Sequence, residues 1–281
     1  MTEILRKRRW FQFRLRTVFL VLTAACVWLG LQIDAAHRQK KAVARIVQVG
    51  GTVAYDYEIV PGPLGVPGGD IDKTLEPLAP SWLRGLMGED LFRSAAVSGF
   101  DGKTITNFDL EQLGKLPQLI SVGLSNVKIA DSAISSEREF GDCDLAALGG
   151  LAHLQLVGIS RTEIDGSGIG YLAGSKEHLT ALFLSSNPIS DAGSEQIGKL
   201  TRLVWLDLSD TSISDSGLVH FQNLTHLEQI SLRNTHVSDA GLQHLKGLKG
   251  LAGVNLSGTN VTKDGIRDLQ RALPKATITG P

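Results

Sequence analysis

Histidines at repeated spacing are the first residues in this 281-residue chain that suggest chemistry. His220 and His244 are 24 apart, and His153 and His178 are 25 apart. In a stacked fold, side chains one period apart sit in adjacent rows about 5 Å from each other, close enough to share a metal ion. Neither pair has a cysteine or carboxylate to complete a ligand set, so the spacing reads as register. An acidic column, Asp131, Asp165, Asp191, Asp215 and Asp239, raises the thought of calcium. Its place just before each expected helical turn favours helix capping instead. Gly50-Gly51, Gly68-Gly69 and Gly149-Gly150 lack the spacing of a phosphate-binding loop and read as turns. Cys26 and Cys143 are the two cysteines, too few and too far apart for a disulfide framework. No nucleophile, general base or metal cluster assembles from these residues. The expectation is a chain that is not an enzyme, with no metal, cofactor or small-molecule substrate. The 28 basic and 29 acidic residues give a net charge of -1, which argues against nucleic acid as a partner.

The elements that must position these residues emerge from a repeat. Leu203-x-x-Leu206-x-Leu208-x-x-Thr211-x-Ile213-Ser214-Asp215-x-Gly217-Leu218 returns 24 residues later as Leu227-x-x-Ile230-x-Leu232-x-x-Thr235-x-Val237-Ser238-Asp239-x-Gly241-Leu242. The frame continues downstream from Leu251 and upstream from Leu179, Leu154 and Leu119, with a degenerate first unit near Ala95. Between the Leu119 and Leu154 units the spacing is 35, so about ten residues are inserted, near 132–144. Leu206 and Leu208 are two apart and share one face of a short strand. Asp215 is expected to cap the helical turn that follows, and Gly217 to loosen its backbone. Leu218, Phe221 and Leu224 then line the inner side of a short α or 3₁₀ helix. One unit cannot bury these residues alone, whereas a stack gives a continuous core.

The pattern resembles the leucine-rich-repeat family, whose L-x-x-L-x-L-x-x-N/C-x-L core and 20–29 residue period it matches over about 95–281. The Thr-x-Ile-Ser/Thr-Asp-x-Gly-Leu variant is most similar to repeats of bacterial surface proteins and of ribonuclease-inhibitor-like adaptors. It departs from the family at the ninth position, where Thr162, Thr211, Thr235 and Thr259 replace Asn or Cys. The resemblance implies an α/β solenoid of about seven repeats, with a parallel β-sheet on the concave face and short helices on the convex face. It also implies a binding module rather than a catalyst.

Ahead of the repeats the charge is uneven. Arg6, Lys7, Arg8, Arg9, Arg14 and Arg16 fall within residues 1–16, and an uncharged run, 17–33, follows. Seventeen helical residues extend about 26 Å, near the lower limit for crossing the hydrocarbon core. A cleaved signal peptide would share the basic start, but Ile33-Asp34-Ala35-Ala36 is a poor cleavage site. The Thr23-Ala24-Ala25-Cys26 stretch is a weak lipoprotein signal, and a buried core helix leaves the basic residues hard to place. A single uncleaved transmembrane helix is therefore expected, with residues 1–16 cytoplasmic and the repeats extracytoplasmic by the positive-inside rule. Residues 34–94 then read as a juxtamembrane helix over Ala36–Val49, a short strand over Thr52–Tyr57, a Pro/Gly-rich linker over 61–80 and a capping helix over 82–92. Residues 271–279 read as a final closing strand. Leu78–Val97 loosely resembles an F-box, the helix set of ubiquitin-ligase substrate adaptors, but the preceding span and the prolines argue against that.

The residues alternating with the core leucines should face outward on the concave side. Most are small, but Leu156, Phe183, Trp205, Asp207, Gln229 and Arg233 form a run of large side chains over neighbouring units. Exposed Trp, Phe and Arg are the types that anchor interfaces. These six are the candidate contact residues for a protein or cell-envelope polymer, unless Phe183 and Trp205 merely cover each other. The inserted segment Ser132–Asp144 is a second candidate contact. The competing expectation is a structural envelope scaffold that contacts many neighbours weakly.

Overall fold

The computed structural model describes residues 2–58, 81, 84, 95–131 and 136–280. The Pro/Gly-rich linker, the expected capping helix over 82–92 and the middle of the insertion lie outside the described residues.

Twelve strands are described: β1 Thr52–Tyr55, β2 Ala95–Gly99, β3 Thr104–Thr106, β4 Ser121–Gly123, β5 Lys128–Asp131, β6 Ser136–Glu139, β7 Leu156–Gly158, β8 Ala181–Phe183, β9 Trp205–Asp207, β10 Gln229–Ser231, β11 Gly253–Asn255 and β12 Thr277–Thr279. Nine form one sheet in the order β1-β2-β4-β7-β8-β9-β10-β11-β12. From β2 onward the pairing is parallel and in the register of the sequence repeat, Leu182 beside Leu206, Ile230 beside Leu206 and Val254 beside Ile230. Parallel neighbours need a crossover, and each is supplied by one short helix per repeat. These include the α-helices Asn107–Leu113, Asp191–Ile197 and Lys263–Ala272 and the 3₁₀ turns Asp142–Leu148 and Ser167–Ser175.

The core lies between sheet and helices. Leu203, Leu206, Leu208, Ile213, Leu218, Phe221 and Leu224 of one repeat are all fully buried, as are their counterparts Leu227, Leu232 and Val237 in the next. At about 25 cal/mol per Å² of apolar surface, each such side chain contributes about 1.5–3 kcal/mol. It does so only because the adjacent repeat covers it. The closing strand expected near the C-terminus is present as β12, whose Ile278 packs against the core from the last position of the sheet.

At the other end the apolar run 17–33 and the helix expected to continue from it over 36–49 lie in one uninterrupted helix, α1, Thr2–Gln48. Gly50 ends it with φ 81°, a conformation glycine adopts without strain. The strand that follows is shorter than expected, and Asp56–Glu58 turns into a 3₁₀ helix. β1 pairs antiparallel with β2, so the chain enters the sheet by a reversal.

The last turns of α1 pack on the first repeat. Ala42 and Ile46 are fully buried, and a side chain at Gly51 would sit 2.7 Å from Ile46 and 2.8 Å from Phe100. Arg45 Nε donates to Asp109 Oδ1 at 2.6 Å, while the Thr106 N–H donates to Oδ2 at 2.9 Å. Burial would raise the Asp109 carboxyl, but the hydrogen bonds from Arg45 and Thr106, together with the Arg45 charge, hold it below the usual carboxylate value. Phe108 beside it is exposed, with the Arg45 guanidinium 6.0 Å and the Lys115 ammonium 5.4 Å from its ring centroid.

The described part of the insertion adds an edge strand, β6. β6 pairs antiparallel with β5, which pairs with β3 in a separate three-stranded sheet. Arg138 anchors this edge by a two-pronged bond to Asp144, both arms 2.6 Å.

Candidate binding face

Each repeat leaves its strand through one residue in the left-handed region. These are Asn126, Arg161, Ser186, Asp210 and Asn234, with φ between 54° and 57°, and Gly102 and Gly258 at the equivalent positions. The turn drops the chain from the sheet toward the helix layer and sets the direction of every side chain on the sheet's open face. The column was not recognisable in the sequence as a class, because Arg and Ser share it with the expected Asn, Asp and Gly.

The ninth position behaves in two ways. Thr211, Thr235 and Thr259 donate to the carbonyls of Leu208, Leu232 and Leu256, each at 2.6 Å, within their own turn. Asn187 donates to Ile159 O and Leu184 O and accepts from the Thr162 N–H and hydroxyl. One amide thereby joins two repeats, which a threonine cannot do.

The acidic column differs from expectation in a further way. Ser190, Ser214 and Thr262 occupy the cap positions of their helices. The aspartates instead reach into the next repeat: Asp191 accepts from the Ser214 N–H, Asp215 from the Ser238 N–H and Asp239 from the Thr262 N–H, at 2.7–2.8 Å. Each aspartate also accepts from the hydroxyl of the same residue. The glycines of Asp-x-Gly do not loosen the backbone as expected. A side chain at Gly241 or Gly265 would overlap the carboxylate of Asp215 or Asp239, so glycine is there because the neighbouring repeat's aspartate fills the space. Where Asp142 meets Asp165, burial raises Asp142, while the Ser167 N–H and hydroxyl lower Asp165. Among the described residues, no cluster of three or more potential ligands forms a metal site. His153 and His178 stack at 5.5 Å, and His244 Nδ1 meets the Gln222 amide at 2.7 Å.

Of the six candidate contact residues, the structure draws four into one patch. Trp205 lies in register between Ala181 and Gln229, and Asp207 between Phe183 and Ser231. Phe183 and Trp205 do cover each other in part, edge to face, with centroids 5.2 Å apart and planes at 73°. Both nevertheless remain half-exposed. Leu156 is separated from Trp205 by the strand carrying Ala181, and Arg233 lies past the end of β10 in the turn, fully exposed. Ala181 and Ser121, on the same outward columns, are buried. Asp207 turns Oδ1 to the Ser209 N–H at 2.9 Å, and Ser209 shares a hydroxyl bond with Ser231 at 2.7 Å.

Beyond Trp205 the face falls into a groove of about 360 Å³ that runs toward the C-terminal end over Gln229, Gly253, Asn255, Thr277 and Thr279. Gly253 and Asn255 alternate with the core residue Val254 and so lie on this face. What singles them out is their small size beside Trp205, a depression rather than a protrusion, and a search for large anchors passes over it.

The leucine-rich-repeat family model matches residues 177–237. The matched residues carry the same strand and left-handed turn that recur in register along the sheet. No curated protein matches the chain. Similar solved structures include an internalin from Listeria monocytogenes, 21% identical, covering 61% of this chain and 50% of that one with a TM-score of 0.42. Internalin C2 from the same organism is 22% identical over 66% of this chain and 81% of the other, TM-score 0.46. The plant peptide hormone receptor RGFR1, in complex with RGF2, is 16% identical over 65% of this chain and 27% of the receptor chain, TM-score 0.43. The chain thus spans half the length of the first of these internalins. Among the described residues, one helix, over Thr17–Gln48 near the start, is long and apolar enough to cross a membrane, a property that signal sequences share.

Proposed function

We propose that this chain is a membrane-anchored recognition module. Residues 17–33 of α1 cross the membrane with residues 1–16 on the cytoplasmic side, and the repeat domain, 95–281, binds a protein or envelope polymer outside through the open face of its sheet. The observation that carries the reading is the partly exposed Phe183–Trp205 pair, whose Trp205 lines the groove, on a face with many small residues. Aromatic anchors beside a depression are the arrangement in which a few side chains dominate binding. The apolar span supports the anchor: the window within Thr17–Gln48 has a mean hydropathy of 1.9 and none of it is buried against the repeats. The unbroken helix from that span to the buried Ala42 and Ile46 makes the anchor a strut rather than a tether.

Two measurements test this. Single cysteines at Thr2 and at exposed Glu177, in a Cys26→Ser and Cys143→Ser background, are treated with a membrane-impermeant thiol reagent on intact cells. Labelling at Glu177 alone is expected. Labelling at Thr2 alone would reverse the topology and favour a cytosolic adaptor. A photo-crosslinking side chain at Gln229 is then compared with one at exposed Gln222 on the helix side. A discrete adduct from Gln229 alone is expected, whereas similar mixed adducts from both would point to a structural scaffold.

A further inference from the structure

We propose that the groove between Trp205 and β12 is a binding site for a neutral oligosaccharide. The inference rests on the reading of this face as the binding face, and adds the chemistry of what it takes.

Charge is the first consideration. None of the residues lining the groove is ionisable, and Asp207 and Arg233 stand outside it. Phosphate, carboxylate or ammonium groups would therefore enter without a counter-charge, at a cost that a neutral ligand avoids.

The wall and floor supply the second. Trp205 is held on one side by the edge-to-face contact with Phe183 and lines the groove on the other. An indole offers a broad apolar surface on which the C–H face of a sugar ring can lie. Gln229 leans across Gly253, where a β-carbon would overlap its side-chain oxygen, so the glycine makes the room in which the amide lies over the floor. Among the described residues no hydrogen bond is made by the Gln229 amide. Asn255 commits Oδ1 to the Ser257 N–H at 3.1 Å and the Thr279 hydroxyl at 3.2 Å, which leaves its Nδ2 protons for a ligand. Thr277 adds a hydroxyl on the same floor. Amide donors, an amide acceptor and a hydroxyl around an aromatic wall match the alternating donors and acceptors of sugar hydroxyls.

Extent is the third. The lining runs over four strands, β9 to β12, so it spans three inter-strand steps, roughly 14 Å. That length suits an oligomer better than a single ring. A peptide recognised by strand addition could pair only along the outer edge of β12 and not across the groove, because β9, β10 and β11 are paired on both sides.

The test is isothermal titration of the full chain, solubilised in detergent, with cellohexaose, maltohexaose, chitohexaose and a mannohexaose. Binding of at least one hexamer with a Kd of about 1 mM or tighter is expected. Trp205→Ala and Gln229→Ala should each weaken it at least about tenfold, and Phe108→Ala, on a different face, should leave it unchanged. Circular dichroism of each variant confirms folding, and Gln229→Ala stands in if Trp205→Ala unfolds. Failure of every hexamer to bind, or binding indifferent to both groove variants, overturns the proposal. In either event, a Gln229-dependent crosslink to a protein would leave the binding-face reading intact. Absence of any Gln229-dependent ligand would sink both.

Discussion

Gly193→Ala sets local preference against the contact between repeats. Gly193 is the third residue of the helix Asp191–Ile197, where alanine would ordinarily favour the helix by about 1 kcal/mol. The built β-carbon, however, overlaps the Asp165 carbonyl oxygen of the preceding repeat and lies 2.9 Å from Gly166 Cα and 3.2 Å from Asp165 C. These are backbone atoms, so no side chain can rotate away. To admit the methyl, the two repeats must part locally, which stretches the 3.2 Å bond from the Ser190 N–H to Asp165 O. Overpacking costs about 1–3 kcal/mol and a lost hydrogen bond about 1 kcal/mol. Set against the propensity gain, a net destabilisation of about 2 kcal/mol is expected. Urea denaturation of the full chain, followed by circular dichroism, should show a lower midpoint with an unchanged slope. Gly247→Ala is the control, since nothing lies within 4 Å of its added β-carbon; it should be neutral or slightly stabilising. Were Gly193→Ala as stable as the parent, the close stacking of the Asp-x-Gly turns would not be what places glycine there.

Replacing Asn187 by alanine removes the amide that joins two repeats and strands the buried Ile159 and Leu184 carbonyls; a loss of about 2–4 kcal/mol in urea denaturation is expected. Arg161→Gly relieves a left-handed residue at φ 56° and should raise stability by up to about 1 kcal/mol, after the entropy glycine adds to the unfolded chain. Asp109→Asn, which takes the charge from the Arg45 bond, should loosen the end of α1, seen as faster amide exchange over 42–51 with the later repeats unchanged. Acid should do the same to the parent. The Asp109 carboxyl is depressed in the fold, so its contribution is fully present above the unfolded value near 3.9 and is lost as pH falls through the lower folded value. Lower protection at this junction, with exchange corrected for its intrinsic pH dependence, is therefore expected below about pH 4, and unchanged protection factors in that range would refute the assignment.

Sequence alone determined the repeat, its register and the identity of the core. A 24-residue period with leucines at fixed offsets admits one economical burial, strand beside strand, and Leu206 and Leu208 lie where the alternation puts them. The closing strand β12 was legible for the same reason. Features that depend on the separation between repeats were not. Asp215 looks like a cap within its own unit, and only stacking brings Ser238 near enough to take its bonds. Ala181 looks exposed by alternation, yet it is buried in a row whose next residue is Trp205. The run of α1 up to Gly50 was legible in the sequence, but only the fold shows Ile46 and Phe100 buried together about Gly51. The groove is of this kind too. Its shape comes from the absence of side-chain volume at Gly253 two strands from a large Trp205, a contrast between residues 48 apart in sequence. Periodicity specifies which face a side chain takes. Distances between successive turns decide what it touches.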